Sequence, residues 1–236
     1  MIPLRDDNPR RTFPVVNYVL VAVNILAFLW ELSLGPNLQV ALSNIAFIPA
    51  RYWVPGHWVF DLLTIVTSMF LHGGLMHIGS NMLYLWIFGD NVEDRLGHGR
   101  YLLFYLLCGF AATLAHAVFS PGSRVPAIGA SGAIAGVLGA YLILWPHARV
   151  MTLIPIFFFI TVRELPAILL LGIWFVLQLF SGVGSLGVVD AQDTGGVAYF
   201  AHIGGFVAGM ALIGLFGGFR RPRRREPPPP WWAQPQ

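Results

Sequence analysis

Residues 128–145 read Ile-Gly-Ala-Ser-Gly-Ala-Ile-Ala-Gly-Val-Leu-Gly-Ala-Tyr-Leu-Ile-Leu-Trp, an uncharged apolar run in which Ser131 carries the one aliphatic hydroxyl. Coiled into a helix, a run of this length crosses the hydrocarbon core of a bilayer. Working outward, five further runs are predominantly apolar: Val15 to Ser33, Met76 to Gly89, Tyr101 to Phe119, Leu165 to Ser181 and Ala198 to Gly218. The run from Met76 reaches spanning length only if His72 to Leu75 or Asp90 to Glu93 extend it. The 236 residues are 56% hydrophobic and 11% charged, with a mean hydropathy of +0.69. Roughly a quarter of an average soluble domain is charged, so this chain has too few charges to cover a water-soluble surface. The expected fold class is therefore all-α, a polytopic membrane helical bundle with six transmembrane helices.

Two flanking features refine that reading. Asp6, Asp7 and Pro9 precede the first run, and no small-residue cleavage pattern follows it, so it is expected to stay as an anchor. Trp58 to Leu71 is apolar but is interrupted by Asp61 and Thr64 and follows a Pro55-Gly56 turn signal. It reads as an interfacial helix in a long loop. Charge placement supports six spans over seven. With both termini cytoplasmic, Arg5, Arg10, Arg11, Arg95, Arg100, Arg149, Arg163 and the arginines of 220–225 share the inner side, and only Arg51 and Arg124 fall outside. The expected organisation is a cytoplasmic segment 1–14, a membrane domain 15–219 and a basic, proline-rich cytoplasmic tail 220–236, read as a disordered extension in preference to a headgroup-binding arm.

Composition also removes chemistries. Cys108 is the single cysteine, so neither an intrachain disulfide nor a thiolate metal cluster is expected. The sequence has no lysine, which excludes a lysine base, a Schiff base and a phosphate-loop lysine. The net charge of +3 comes without a basic, aromatic-interleaved polar face, so no nucleic-acid partner is expected.

Polar groups inside a span are costly and mark function by default. Those that stand out are His77 and Asn81 in the second run, Ser131 in the fourth and His202 in the sixth. In a six-span topology each lies near the outer start of its span, with Ser131 and His202 about 5 Å below the chosen helix starts. His77 and Asn81 are four residues apart and share one helix face. Glycines at 129, 132, 136 and 139, and at 204, 205 and 209, allow close approach of the fourth and sixth helices. A serine hydroxyl becomes nucleophilic when a base takes its proton, and His202 is a base of suitable kind. The Ser131 N–H, the Asn81 amide and a His77 N–H can stabilise an oxyanion. Spans two, four and six contain no acid at this depth, so the set reads as a dyad. Taken singly, each feature has a structural explanation, a serine bonded to the Ala127 carbonyl or a packing histidine such as His72 or His116. Their coincidence in one layer favours chemistry.

The set resembles the rhomboid intramembrane serine proteases. The resemblance rests on His72-Gly73-Gly74-Leu75-Met76-His77 with Asn81, on Gly89 to Gly97 containing Glu93 and Arg95, on Gly129-Ala130-Ser131-Gly132, and on Ala201-His202-Ile203-Gly204-Gly205 with Gly209, in order over roughly Pro14 to Phe219. It implies Ser131 as nucleophile, His202 as general base, and His77 and Asn81 as oxyanion ligands. It further implies cleavage of transmembrane protein substrates near the outer membrane face, no metal or cofactor, and a six-helix bundle whose first loop lies partly in the membrane. The location it implies is a bacterial cytoplasmic membrane, with lipids as the other partner. By the same analogy Leu165 to Ser181, with the glycine-rich 182–196 loop, is the mobile side through which substrate enters. Two positions depart from the family pattern. Ala135 stands where some relatives place an aromatic against the histidine, and Leu63-Thr64 replaces a Trp-Arg pair of the first loop. The alternatives are a rhomboid-like pseudoprotease that binds transmembrane segments without cutting, a bundle holding haem between His77 and His202, and, more weakly, a transporter.

Overall fold

A computed structural model describes residues 1–56, 58–156, 159–185 and 197–219; the 220–236 tail and most of the glycine-rich 182–196 loop lie outside the described residues. The described chain is mostly helical. In order it forms β1 (Ile2–Asp6), α1 (Val15–Ser33), α2 (Leu38–Ile45), α3 (Pro49–Tyr52), α4 (Trp58–Ser68), α5 (Leu75–Leu96), α6 (His98–Phe119), α7 (Ser131–Leu144), β2 (Arg149–Ile156), β3 (Phe159–Pro166), α8 (Ala167–Ser185) and α9 (Tyr199–Leu215).

Each apolar run becomes a helix, but the ends move where polar groups find partners. α1 keeps the predicted bounds because Pro14 precedes it and a turn at Gly35–Asn37 follows. Its first N–H groups have no intrahelical acceptor. The buried Glu93 carboxylate supplies one, accepting from Val16 N–H at 2.9 Å and Asn17 N–H at 2.6 Å. Glu93 sits on α5, which therefore continues past Gly89 to Leu96 and ends where Gly97, at φ +79°, donates its N–H to the Glu93 carbonyl at 2.7 Å. α7 begins at Ser131 and not at Ile128, because Gly129 adopts φ +124° outside the helical region. The first-loop stretch is helical over Trp58–Ser68, and its end is fixed by Ser68, whose hydroxyl accepts Phe47 N–H at 2.6 Å and whose carbonyl accepts Gly129 N–H at 2.9 Å.

The all-α expectation needs correction. β1, β2 and β3 form an antiparallel three-stranded sheet in that order, with Ile2 opposite Leu153 and Leu153 opposite Val162. Alternation at Val150 and Thr152, both buried, gives the period of a half-buried strand. The sheet ties the N-terminal arm to the α7–α8 connection, reinforced by the Tyr141 hydroxyl donating to Asp6. Burial pushes the Asp6 carboxyl up to about 6. Arg10 pairs with Asp90 at 3.1 Å and Thr12 donates to Asp94, so the start of α1 and the end of α5 share this end of the molecule. Phe104 of α6 meets Phe216 just after α9 with ring centroids 5.7 Å apart, which brings the end of α9 to the start of α6.

The core lies between α5, α6, α7 and α9 around Phe88, Tyr101, Phe104, Leu138 and Phe206, all buried. α7 and α9 form the most extensive helix pair. Among the described residues, α1, α6 and α8 are long and apolar enough to cross a membrane by length and composition; α7 and α9 are shorter apolar helices.

Candidate active site

Ser131 opens α7, and the turn that presents it requires glycine. Gly129 sits at φ +124°, and a Cβ there would lie 2.7 Å from His77 Nε2 and 3.5 Å from Ser131 Oγ. The absence of that atom lets the His77 ring lie beside the serine. Gly73 N–H approaches His77 Nδ1 at 3.4 Å, an arrangement that uses Nδ1 as acceptor and leaves Nε2 to carry the proton on the serine side.

His202 lies in the first turn of α9. α7 and α9 approach through a glycine seam: a Cβ on Gly205 would come 2.0 Å from the Gly132 carbonyl oxygen, on Gly209 1.9 Å from that of Gly136, and on Gly139 2.2 Å from that of Phe206. Apolar tails offer helices no hydrophobic drive to associate, so close backbone packing of this kind does the work. The seam brings His202 Nε2 to 2.8 Å from Ser131 Oγ. The serine hydroxyl is thus engaged by an imidazole of another helix.

Asn81 reaches the same space from α5. Its amide nitrogen is 3.0 Å from His72 Nε2, while His72 Nδ1 is 3.3 Å from the Phe70 carbonyl. A carbonyl only accepts, so Nδ1 carries the His72 proton and Nε2 accepts one amide N–H of Asn81, leaving the second for a ligand. His72 is itself held by Glu31 of α1, whose two carboxylate oxygens receive its backbone N–H at 3.0 and 3.2 Å. Glu31 and His72 are 1% and 2% exposed, so this support is inside the fold. His77 and His72 rings meet edge to face at 5.0 Å.

The structure therefore brings Ser131, His202, His77 and Asn81 to one partly open cavity of ≈ 1530 Å³, lined largely by apolar groups such as Met76, Phe119 and Phe200. Sequence reasoning missed three neighbours. Gln178 of α8 places Oε1 2.8 Å from His202 Nδ1, and Trp174, one turn earlier, lies 5.8 Å from the His202 ring. Glu31 supports the Asn81 side. The available signal was polarity inside an apolar run, which Gln178 and Glu31 both show. Where Ala135 lacks an aromatic side chain, contact with the histidine comes from α8 instead. Among the described residues no group of three or more His, Cys, Asp or Glu side chains could hold a metal ion.

Comparison with known proteins agrees with this architecture. The pattern of the rhomboid domain matches residues 59–219. The rhomboid protease GluP of Bacillus subtilis is 38% identical over 130 residues, covering 55% of this chain and 24% of that protein. Rhomboid protein 1, mitochondrial, of Saccharomyces cerevisiae is 29% identical over 198 residues, 82% of this chain and 51% of that protein. RHOMBOID-like protein 6, mitochondrial, of Arabidopsis thaliana is 32% identical over 179 residues, 76% and 50% of the two chains. The chain spans about half the length, or less, of these curated relatives.

Proposed function

We propose, from the premise that this chain belongs to the rhomboid family, that it is an intramembrane serine endopeptidase working through a Ser131–His202 dyad. The observation that carries the reading is the 2.8 Å contact between Ser131 Oγ and His202 Nε2. As Oγ attacks the scissile carbonyl carbon, Nε2 takes the hydroxyl proton. The oxyanion of the tetrahedral intermediate accepts from the free Asn81 N–H, from His77 Nε2–H and from the Ser131 backbone N–H, which is one of the unpaired donors at the start of α7. The imidazolium then gives its proton to the leaving amine, the C–N bond breaks and an acyl-enzyme remains. Water, deprotonated by Nε2, cleaves that ester and restores the serine.

The substrate class is the transmembrane segment of another membrane protein. In this reading α1, α5, α6, α7, α8 and α9 are the six spans, residues 15–219 form the membrane domain, and both termini face the cytoplasm. Two features support that orientation: the shared end of the N-terminal arm, the α7–α8 connection and the α9 terminus, and the arginines collected there, Arg5, Arg10, Arg95, Arg100, Arg149 and Arg163. The site then opens to the opposite, outer face of a bacterial cytoplasmic membrane. Residues 220–236 are assigned as a cytoplasmic tail. The pseudoprotease alternative finds no support in a serine and histidine that are both present and bonded. The haem alternative fares no better, since both ring nitrogens of His202 face protein partners.

Labelling with a fluorophosphonate, followed by peptide mapping, tests the proposal. The modified residue is expected to be Ser131, with labelling and cleavage abolished in Ser131→Ala and His202→Ala. Turnover by Ser131→Ala near the parent rate, or a label on another residue, overturns it.

A further inference from the structure

We propose that Gln178 of α8 is a positioning residue that fixes the protonation pattern of His202. The inference rests on the Ser131–His202 reading and deepens it. A neutral imidazole has a single N–H, and two partners compete to decide which nitrogen carries it. Ser131 Oγ, 2.8 Å from Nε2, can donate or accept. The amide oxygen of Gln178, 2.8 Å from Nδ1, can only accept. In the orientation seen, Gln178 presents its oxygen and not its amide N–H to the ring, so Nδ1 holds the proton and the Nε2 lone pair faces the serine hydroxyl. With the proton on the other nitrogen, Nε2–H would donate to Ser131 and no base would remain.

The neighbourhood is built for this role. Trp174 is four residues before Gln178 on the same helix face, and its ring lies 5.8 Å from His202 and 5.9 Å from Phe206, so it packs beside the imidazole while the amide holds the nitrogen. The choice of amide over carboxylate also follows from the surroundings. An ionised acid in an apolar bundle costs desolvation that a neutral amide avoids, while still supplying the orienting acceptor. Because the acceptor rides on α8 and the base on α9, the tautomer depends on α8 being docked. Displacing α8 by about 1 Å takes the contact beyond hydrogen-bonding range.

The experiment uses the full chain in lipid or detergent with ¹⁵N-labelled histidine, in the parent, Gln178→Leu and Gln178→Glu, with His202→Ala identifying the resonance. The parent is expected to show Nδ1–H at His202 and Gln178→Leu a mixture of tautomers. Fluorophosphonate labelling of Ser131 should slow on the order of tenfold in Gln178→Leu. In Gln178→Glu it should stay within a few-fold of the parent, with the acid limb of its pH profile moved to higher pH because a carboxylate stabilises the imidazolium. A merely structural glutamine would leave the tautomer unchanged in Gln178→Leu, so that measurement is the discriminating one. A parental tautomer and pH profile in Gln178→Leu overturn the proposal. If the parent itself fails to label, the protease reading falls, and the tautomer measurement still decides the role of Gln178.

Discussion

The α7–α9 seam makes a quantitative demand on Gly205. A methyl group there would sit 2.0 Å from the Gly132 carbonyl oxygen and 2.9 Å from its carbon. Carbon and oxygen approach no closer than about 3.3 Å in favourable C–H···O contacts, so Gly205→Ala has to part the backbones by about 1 Å at this level. Neither neighbour is a flexible side chain that could swing away. Gly132 follows Ser131 directly and Gly205 lies one turn after His202, so the separation is felt at the Oγ–Nε2 contact. That distance, 2.8 Å in the parent, would open to about 4 Å and cease to be a hydrogen bond. A misplacement of about 1 Å at reacting groups costs on the order of 10²-fold in rate, and overpacking lowers stability by about 1–3 kcal/mol.

The assay is the rate of fluorophosphonate labelling at Ser131, normalised to folded protein by thermal unfolding. Gly172→Ala on α8 is the control, because its Cβ meets nothing within 4 Å. Gly205→Ala should label about 10²-fold more slowly while still unfolding cooperatively, and Gly172→Ala should match the parent. A parental labelling rate in folded Gly205→Ala would refute the idea that backbone proximity along this seam sets the site.

Three other outcomes are expected. Asn81→Ala should lower kcat by about 10²-fold, as loss of an oxyanion donor does; an unchanged kcat would remove Asn81 from the oxyanion site. Glu31→Leu should slow labelling about tenfold by freeing the His72 backbone, and the double variant with Asn81→Ala should be no slower than Asn81→Ala alone, whereas losses that multiply would show that Glu31 does not act through Asn81. Asp6, raised to about 6 from 3.8, binds its proton more tightly in the folded state, so its contribution to stability is complete below about pH 4 and lost as pH rises through 6. Melting temperatures across pH 4–7 should therefore show a parent-minus-Asp6→Asn difference that falls as pH rises, and a flat difference would contradict the assignment.

Which parts were legible in the sequence follows from what hydropathy can register. α1 was read to its ends because Pro14 and Gly35-Pro36 punctuate a long, mostly apolar run. The extension of α5 through Asp90, Asn91, Glu93 and Asp94 was one of two that the sequence left open, and it is decided by tertiary partners, as Glu93 caps α1, Asp94 receives Thr12 and Asp90 meets Arg10. The sheet, by contrast, was hidden. Val150-Met151-Thr152-Leu153-Ile154 carries β-branched alternation, but its partner strands come from 2–6 and 159–166, and a search for long apolar runs passes over such short segments. The approach of Ser131 and His202 was anticipated because a hydroxyl and an imidazole in glycine-rich helices are conspicuous. Gln178 and Glu31 escaped notice because each stands on a helix that carries none of the expected groups.

Helix length links these observations to water supply. α7 has 14 residues, about 21 Å of helix, against a hydrocarbon thickness of about 30 Å. In the six-span arrangement proposed above, a helix this short whose far end meets the cytoplasmic boundary must start its first turn some way beneath the outer one. Ser131 is that first residue, so its depth follows from where the helix begins. Irregular backbone at such a depth is tolerated only where protein buries it or water reaches it. Both conditions are met in different places: Gly129 N–H goes to Ser68, while Ser131, His77 and Asn81 line the open cavity. In that arrangement the left-handed turn at Gly129 shortens the helix, sets Ser131 below the surface and makes room for His77 at once. Gly129→Ala should fail on all three counts, because its methyl would meet the His77 ring at 2.7 Å and the backbone would resist φ +124°. Loss of labelling without loss of fold is the expected result, and a labelling rate near that of the parent would show that the turn does not determine where the serine lies.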